Sequence, residues 1–319
     1  MVKRSGIVIA ASALFIAALA GCGSSGSESS ATVIRIAHNS NAGALTARIA
    51  QEQGFLKAHG VEAKFTKVEN IETLPPALGK SFDVVMSTPT ILISGASKGI
   101  DLRELAGTSL EVRDNPTAAV LAGPKSGVKE GRDLEGKTIG ILNETGTLHT
   151  STKFWLDKIG VPLDSIKIVQ IDPPAQKDQL MAGRVDAVET VMPFMSSIQA
   201  MPGVVDLGQP HLEMANEIGL ILWATSSKWA KDNPEAVSAF RAGLADAVAW
   251  VEDPKNEAAA RKSLQNYTGL PEGVIAKLPI PTYEAEPRAQ DLPIWLDAMK
   301  RYAGFEGDVD VNDLIVDAG

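Results

Sequence analysis

The sequence is poor in cysteine and in basic residues, and each deficit excludes a class of protein. Only one cysteine, Cys22, occurs in 319 residues. A single cysteine excludes internal disulfides, cysteine-rich zinc sites and cysteine-ligated iron–sulfur clusters. The 39 acidic residues outnumber the 30 basic ones, which gives a formal net charge of −9 at pH 7. Because such a surface repels a phosphate backbone, we expect no nucleic-acid partner.

Long hydrophobic runs are also missing, apart from one near the amino terminus. Residues 7–20 form an uncharged apolar run of 14 residues that follows Lys3 and Arg4. A membrane-spanning helix needs about 20 residues, whereas this shorter run is typical of a signal peptide. The sequence Leu19-Ala20-Gly21-Cys22 resembles a bacterial lipobox, which implies cleavage before Cys22 and lipid attachment to it. A plain secretory signal with an incidental cysteine is the alternative.

The amino-terminal region is therefore predicted to be a signal peptide over residues 1–21, then a lipidated cysteine with a flexible tether over residues 22–31. Residues 23–30 contain only glycine, serine and one glutamate, and such a stretch has no apolar side chain to bury. A lipid anchor followed by a tether places a folded domain just outside a membrane. We expect a protein anchored to the cell membrane that faces the periplasm or the extracellular side.

From residue 33 onward, short apolar strands alternate with helices, which predicts an α/β fold with largely parallel sheets. Strands are expected at Val33–Ala37, Val61–Val68, Phe82–Met86, Lys137–Leu142, Ile166–Ile171 and Val185–Val191. Helices are expected at Leu45–Gln53, Pro89–Ser97, Leu148–Ile159 and Ala175–Ala182, with a short helix at Ile71–Leu78 that Pro75-Pro76 breaks. After Trp223 the pattern is helical, with helices that begin at Pro234 and Pro254 and a further one around Trp295.

Two stretches of this pattern match each other at a nearly constant offset. The matched positions are Gly60 and Gly160, Asp83 and Asp186, and Pro89 and Pro193, at offsets of 100, 103 and 104. The repeat predicts two lobes of one plan, with residues 32–118 and 232–319 in lobe 1 and residues 119–231 in lobe 2. The chain then crosses between the lobes near residues 117–122 and 226–233, and the cleft between them is the natural ligand site.

Motifs of catalysis and metal binding do not occur in a functional context. The sequence has no H-E-x-x-H pattern. Matches to G-x-S-x-G, to the P-loop pattern and to the dinucleotide-binding pattern occur at residues 95–99, 131–138 and 21–26, but none of them follows a predicted strand and opens a predicted helix, as these motifs require. The four histidines lack the spacing of metal ligands; His59 and His211 are predicted at a helix end and in a loop. His38 and His149 each lie beside a strand-to-helix loop, where a structural role is favoured over ligand contact. We expect no enzymatic activity, no metal and no cofactor.

Small polar residues occur instead at the carboxyl ends of the predicted strands. Ligands bind there in open α/β sheets, and helices that begin there direct free N–H groups into the crevice. The candidates are Asn39, Ser40, Asn41, Ser87 and Thr88 in the first lobe and Thr145, Gly146 and Thr147 in the second. Helix capping is the alternative role for their side chains.

Three further candidates lie near the same cleft. Glu189 falls late in a predicted strand, where its carboxylate would accept a hydrogen bond from a ligand or from a protein partner. Met192 and Trp223 are candidates for the apolar walls of the cleft, with core packing as the alternative.

Several segments resemble the alkanesulfonate, taurine, nitrate and thiamine-precursor binding proteins of ABC importers. These segments are Ala50–Phe55, Phe82–Pro89, Asp133–Gly140 and Val185–Val188 with the following Pro193-Phe194, and the resemblance covers about Val33–Trp250. It implies a type II periplasmic-binding-protein-like α/β fold, with two lobes joined by a hinge. It also implies capture of a small organic solute by lobe closure and delivery to the permease subunits of an ABC importer. The implied pocket residues are the candidates above from Asn39 to Met192.

The chain departs from a common family pattern just before Pro193. Thr190-Val191-Met192 stands where many members carry a tryptophan and an acid. The candidates also include no arginine or lysine, so a zwitterion, a sulfonate with amino groups and a neutral heterocycle all remain open. We predict a monomer that binds a sulfonate- or taurine-like solute. The alternatives are a pyrimidine or thiamine-precursor binding protein, an enzyme on the same fold, and a surface adhesion or sensory module.

Overall fold

The computed structural model describes residues 32–317, in which strands and helices alternate as the apolar pattern predicts. The predicted signal peptide, Cys22 and tether lie outside the described residues. Among the helices of residues 32–317, none has both the length and the hydrophobicity needed to cross a membrane.

The helices and strands have the following bounds. The strands are β1 (Thr32–His38), β2 (Val61–Lys67), β3 (Val84–Ser87), β4 (Arg103–Ala106), β5 (Thr108–Val112), β6 (Ala118–Ala122), β7 (Thr138–Ile141), β8 (Lys167–Gln170), β9 (Ala187–Val191), β10 (Val205–Gly208), β11 (Glu217–Gly219), β12 (Leu222–Thr225) and β13 (Thr282–Glu284). The helices are α1 (Leu45–Glu52), α2 (Phe55–Ala58), α3 (Pro89–Ser97), α4 (Thr147–Lys158), α5 (Pro173–Ala182), α6 (Phe194–Gln199), α7 (His211–Met214), α8 (Ser227–Asp232), α9 (Pro234–Glu252), α10 (Glu257–Thr268), α11 (Glu272–Ile275) and α12 (Leu292–Tyr302).

Local sequence explains most of these bounds. Pro89 and Pro234 each occupy the first turn of a helix, where a missing N–H costs nothing. The predicted helix Ile71–Leu78 is instead two 3-10 turns, Ile71–Thr73 and Pro75–Ala77. The reason is that the adjacent prolines in this segment cannot donate the hydrogen bonds that an α-helix requires.

Two five-stranded sheets form two lobes with the same strand order. The first sheet has the order β2-β1-β3-β12-β4, and the second has the order β8-β7-β9-β6-β10. In each sheet the first three strands are parallel, and the fourth strand pairs antiparallel with both of its neighbours. The predicted two-lobe repeat is therefore confirmed.

The repeat extends to single hydrogen bonds, which two equivalent aspartates, Asp83 and Asp186, accept. The Asp83 carboxylate accepts from the backbone N–H of Arg35 at 2.8 Å. The Asp186 carboxylate accepts from the backbone N–H of Thr138 at 2.9 Å. Each aspartate precedes the third strand of its sheet and fixes that strand beside the second one, β1 or β7. The spacing between donor and acceptor is 48 residues in both lobes.

The carboxyl-terminal helices complete the core of lobe 1. Helix α9 packs against α1 and α2. Trp223 and Phe240 lie edge to face in this core, with ring centroids 6.2 Å apart, and Trp295 is fully buried in it. Burial of large apolar side chains at about 25 cal/mol per Å² is the main stabilising contribution of such a core.

A third sheet of three antiparallel strands, in the order β11-β5-β13, lies where the chain passes between the lobes. Strand β5 leads into lobe 2, and β11 leads back toward β12. Strand β12 is fully buried and pairs with β3 and β4 of the first sheet. The return crossing therefore lies before residue 222, earlier than the predicted crossing at 226–233, because this apolar strand needs hydrogen-bond partners on both sides.

Candidate functional site

A cavity of about 200 Å³ lies between the two lobes, at the carboxyl ends of β1 and β7. Lobe 1 contributes Ser40 and Asn41 from the loop after β1. Lobe 2 contributes Asn143, Gly146 and Thr147 from the equivalent loop after β7. Much of the remaining wall is apolar and includes Leu148, Val191, Met192, Ile221, Leu264 and Leu278. The cavity thus has a largely apolar body with polar groups at the strand ends, which is the usual composition of a small-molecule site.

A larger cavity of about 910 Å³ lies on lobe 1, lined by residues of α8, α9 and the carboxyl-terminal segment. It contains none of the residues predicted from the sequence to bind a ligand. Its walls include the charged side chains Lys231, Glu235 and Asp313. The smaller cavity between the lobes is therefore the better candidate.

The structure brings five of the predicted site residues together in the inter-lobe cavity. They are Ser40, Asn41, Gly146, Thr147 and Met192. Thr147 is the first residue of α4, and Gly146 occupies the N-cap position with no side chain to cap the helix. The first N–H groups of α4 thus begin at the cavity wall, where an electronegative ligand atom would be stabilised.

Five other candidates do not line the cavity, and their contacts explain why. The Asn39 side chain accepts from the N–H of Asn41 at 3.0 Å. The Thr88 hydroxyl accepts from Ile91 at 3.2 Å and so caps α3. Ser87 is buried, and the Thr145 N–H donates to Asn143 at 2.9 Å. Trp223 packs in the core of lobe 1, only 1% exposed.

Glu189 lies behind the cavity wall and contacts it through a histidine. The Nδ1 atom of His149, in the first turn of α4, lies 2.7 Å from the Glu189 carboxylate. His149 is 3% exposed and Glu189 is 0% exposed. A buried carboxylate requires such a partner. His149 itself lines the cavity.

A second buried histidine, His211, lines the same cavity from α7. Its ring lies edge to face with Trp295, with centroids 6.0 Å apart. Burial lowers the pKa of His211 to about 3, so this imidazole is neutral at physiological pH. Neither ring nitrogen of His211 has a hydrogen-bond partner among the described residues. The Nε2 atom of His149 has none among them either.

The strand β5 also reaches the cavity. Thr117, which follows β5 and lines the cavity, donates from its backbone N–H to the Glu111 carboxylate at 3.1 Å. Its hydroxyl donates to the same carboxylate. Burial raises the pKa of Glu111 to about 7. The contact between Thr117 and Glu111 fixes the chain at the point where it enters lobe 2.

Sequence reasoning missed His211 and favoured a structural role for His149. His149 carried a weak signal, since it follows a strand-to-helix loop. His211 carried none, because its approach to the loops after β1 and β7 depends on the packing of α7 against α4. Within residues 32–317, no group of three or more His, Cys, Asp or Glu side chains is placed to hold a metal ion.

A family model described as NMT1/THI5 like matches residues 42–258. A candidate binding protein of Brucella abortus is 26% identical over 201 residues, which is 62% of this chain and 60% of that protein. The match thus spans about 60% of the length of this curated relative.

Solved structures share the fold over most of both chains. The periplasmic aliphatic sulphonate binding protein SsuA of Escherichia coli has a TM-score of 0.75 at 18% identity, and the match covers 89% of this chain and 97% of that one. The desulfurization enzyme DSZB has a TM-score of 0.63 at 15% identity, with 89% and 96% covered. The predicted resemblance and the two-lobed periplasmic-binding fold are confirmed. The same fold carries both a binding protein and an enzyme.

Proposed function

The chain belongs to the NMT1/THI5-like family, and on this premise we propose that it is the solute-binding component of an ABC importer. It captures a small organic solute between its lobes and delivers the solute to the permease subunits. One observation carries this proposal: a cavity bounded by both lobes holds buried imidazole nitrogens that have no partner among the described residues. A buried polar group without a partner costs about 1–3 kcal/mol, and a bound solute removes that cost.

Lobe closure is the mechanism that this architecture supports. The chain crosses between the lobes through β5 and β11, which are short strands of one small sheet. A solute that contacts both lobes favours the closed state by the difference between its affinities for the closed and open states. Asn143 of lobe 2 donates to Glu72 of lobe 1 at 2.5 Å, so the closed arrangement also has a direct contact between the lobes.

The solute we propose is small and sulfonate- or taurine-like. The cavity of about 200 Å³ is smaller than the roughly 300–1,000 Å³ typical of drug-sized ligands. No lysine or arginine lies among the described residues that line it. Imidazoles, hydroxyls and the first N–H groups of α4 would hold the polar end of the solute. The structurally similar SsuA is an aliphatic sulphonate binding protein, which supports the same class of solute.

The location we propose is the outer face of a cell membrane. Lipid on Cys22 anchors a monomeric domain through the tether of residues 22–31. A receptor held there by lipid stays near its permease while its cleft remains open to the surrounding solution.

A thermal-shift screen tests the binding function. The panel contains alkanesulfonates, amino-sulfonates, aromatic acids and pyrimidines. A ligand at about 100 times its dissociation constant should stabilise the fold by about 2.7 kcal/mol. The Ser40→Trp variant serves as a blocked cavity, since Ser40 is an exposed loop residue at the cavity wall, and Ser40→Ala is its control. A pyrimidine that stabilises the wild type would instead support the alternative solute class. If no compound stabilises the wild type, or if Ser40→Trp responds equally, the proposal is wrong.

An enzyme on the same fold is the second candidate, and one contact favours it. An imidazole that a buried carboxylate orients, as Glu189 orients His149, is also the arrangement of a general base. Mass spectrometry of the solute after long incubation separates the two functions. A binding protein returns the solute intact, whereas an enzyme returns a product.

A further inference from the structure

We propose that His149 and Glu189 form a recognition pair in which Glu189 orients the imidazole and His149 Nε2–H donates to an oxyanion group of the solute. The oxyanion is a sulfonate or a carboxylate. This inference rests on the proposed solute-binding function and names the group that recognises the solute. His149 is the contact residue, and Glu189 is a positioning residue that acts through it.

The position of Glu189 in the sheet makes the pair rigid. Strand β9 lies between β6 and β7, and Glu189 is in register with Val120 of β6. The side-chain amide of Gln176 donates to the backbone carbonyl of Glu189 at 2.7 Å, so the backbone at this point is fixed on a further side. One carboxylate oxygen contacts His149, and the other has no partner among the described residues. His149 is therefore the group that compensates this buried carboxylate.

The protonation states of the pair decide what His149 presents to the cavity. If His149 carries a proton only on Nδ1 beside an ionised Glu189, the pair has a net charge of −1 and Nε2 is an acceptor. If one more proton is present, the pair is neutral overall, whether that proton is shared toward Nδ1 or toward the carboxylate. In both neutral arrangements Nε2 carries a hydrogen and is a donor.

Burial favours the neutral pair. An uncompensated charge in an apolar interior is much more costly than a paired one, and both side chains of this pair are buried. The Nε2 atom has no partner among the described residues and belongs to a residue of the cavity wall. The pair therefore offers the cavity a fixed N–H donor, which an oxyanion matches and an ammonium group does not.

Other charged or titratable groups on the packed elements do not take over this role. Lys153 of α4 donates to the Tyr302 carbonyl at 3.1 Å, and Lys158 pairs with Glu213 of α7 at 3.0 Å. His211, also on α7, is neutral and so supplies one donor and one acceptor with no charge. Of these groups, the pair of His149 and Glu189 is therefore the one that selects for an oxyanion.

The experiment uses three probes of similar size: propane-1-sulfonate, butyrate and butylamine. Titration calorimetry on the full chain should show binding of both anions and none of the amine. The main variant is His149→Phe with Glu189→Met, since apolar replacement of both partners leaves no unpaired buried charge. We expect anion affinity to fall about 10- to 100-fold in this double variant, because a hydrogen bond to a charged group is lost. His149→Gln, whose amide keeps an N–H group at this wall, should lose less.

Nitrogen-15 NMR of the histidine rings gives a readout that a merely structural role would not change. In the wild type, His149 Nε2 should carry a proton with and without bound sulfonate. Glu189→Gln keeps the size of the side chain and removes the charge, so Nε2 should lose its proton in a fraction of molecules while anion affinity falls.

Three results would overturn the inference. They are tighter binding of the amine than of the anions, unchanged anion affinity in the double variant, and an unprotonated Nε2 in the sulfonate complex. If a neutral compound of the wider screen binds and Ser40→Trp abolishes that binding, the solute-binding function stands and the recognition pair is rejected. If nothing binds the wild type, both fail together.

Discussion

Polar residues at the ends of strands have different roles in this protein, even where the residue type is the same. Asn39 and Asn143 each accept a backbone N–H two residues further on, at 3.0 and 2.9 Å, and so shape their loops. Thr88 caps a helix. Thr147 differs from these residues because Gly146 holds the N-cap position before it, and its side chain is part of the cavity wall.

Replacement of Thr147 by valine should weaken solute binding more than it weakens the fold. Valine keeps the shape of the side chain and removes the hydroxyl. Loss of one partner of a buried hydrogen bond costs about 1–3 kcal/mol, which corresponds to roughly 5- to 150-fold in affinity. Titration calorimetry with a ligand from the screen measures the affinity, and urea unfolding measures the stability.

Thr145→Val is the matched control for this prediction. Thr145 lies in the same loop, is exposed, and has a hydroxyl within 3.2 Å of Asn143 rather than at the cavity wall. Its replacement should leave affinity within about twofold, since an exposed hydroxyl contributes little to binding. Equal affinity in both variants, with lower stability for Thr147→Val, would remove Thr147 from the site.

At the scale of elements, Arg288 ties the small crossing sheet to lobe 1. Its guanidinium donates to Asp291 at 2.6 Å and to Glu217 of β11 at 3.0 Å. Its backbone N–H donates to Glu104 of β4 at 3.0 Å. Asp291 in turn accepts from the N–H of Gly219 at 2.7 Å. Strands β4 and β11 are thus held to the segment before α12.

Glu104 should make stability depend on pH. Burial raises its pKa from 4.5 to about 7, so the folded state keeps a proton that the unfolded state releases near pH 4.5. The stability that this proton contributes is fully present below about pH 4.5 and is lost as the pH rises to about 7. At about 1.4 kcal/mol per pKa unit, the loss amounts to about 3 kcal/mol.

Glu104→Gln should remove this dependence, since the amide stays neutral and can still accept from the N–H of Arg288. The free energy of unfolding of the variant, relative to the wild type, should rise by about 3 kcal/mol between pH 4.5 and 7 and then level off. Urea unfolding of both proteins from pH 4.5 to 8 measures this difference in the free energy of unfolding. A difference that stays constant over this range would contradict the assignment.

At the scale of the whole molecule, contacts between the lobes accompany the closed cavity. Besides the bond between Asn143 and Glu72, the Tyr302 hydroxyl of α12 donates to Asp157 of α4 at 2.6 Å. The rings of Tyr302 and Phe154 lie edge to face, with centroids 6.1 Å apart. Closure therefore involves protein contacts as well as solute contacts.

Glu72→Ala should favour the open state. The change removes the acceptor for Asn143 and leaves the loop of lobe 2 intact. Loss of a hydrogen bond that contributes about 0.5–1.5 kcal/mol should weaken solute affinity about 2- to 10-fold. In the absence of ligand, small-angle scattering should show a larger radius of gyration for the variant than for the wild type. Glu69→Ala, at a nearby exposed acid, is the control, and equal affinity in the two variants would show that the contact has no part in closure.

Cys22→Ser should release the protein from the membrane and leave solute binding unchanged. In the proposed arrangement a lipid on Cys22 supplies the membrane affinity, whereas the cavity lies within residues 32–317. Fractionation of cells that express each form measures the first effect, and calorimetry measures the second. A variant that is processed normally and still stays with the membrane would contradict lipid anchoring.

The sequence by itself determined the α/β alternation, the repeat near residues 83 and 186, and helix starts such as Pro89. These features depend on local chemistry: apolar periodicity, proline geometry and a carboxylate that fixes the next strand. The loops after β1 and β7 were also predictable, because polar residues at strand ends mark the ligand edge of such sheets.

Only the tertiary structure decided which polar groups meet in the cavity. His149 and Glu189 are 40 residues apart in the chain, and their contact requires β7, β9 and α4 to be packed first. His211 reaches the cavity through α7, and β12 lies between β3 and β4 although it follows all of lobe 2 in sequence. Pairing between distant strands and helices depends on the burial of whole faces, which no local pattern of residues records.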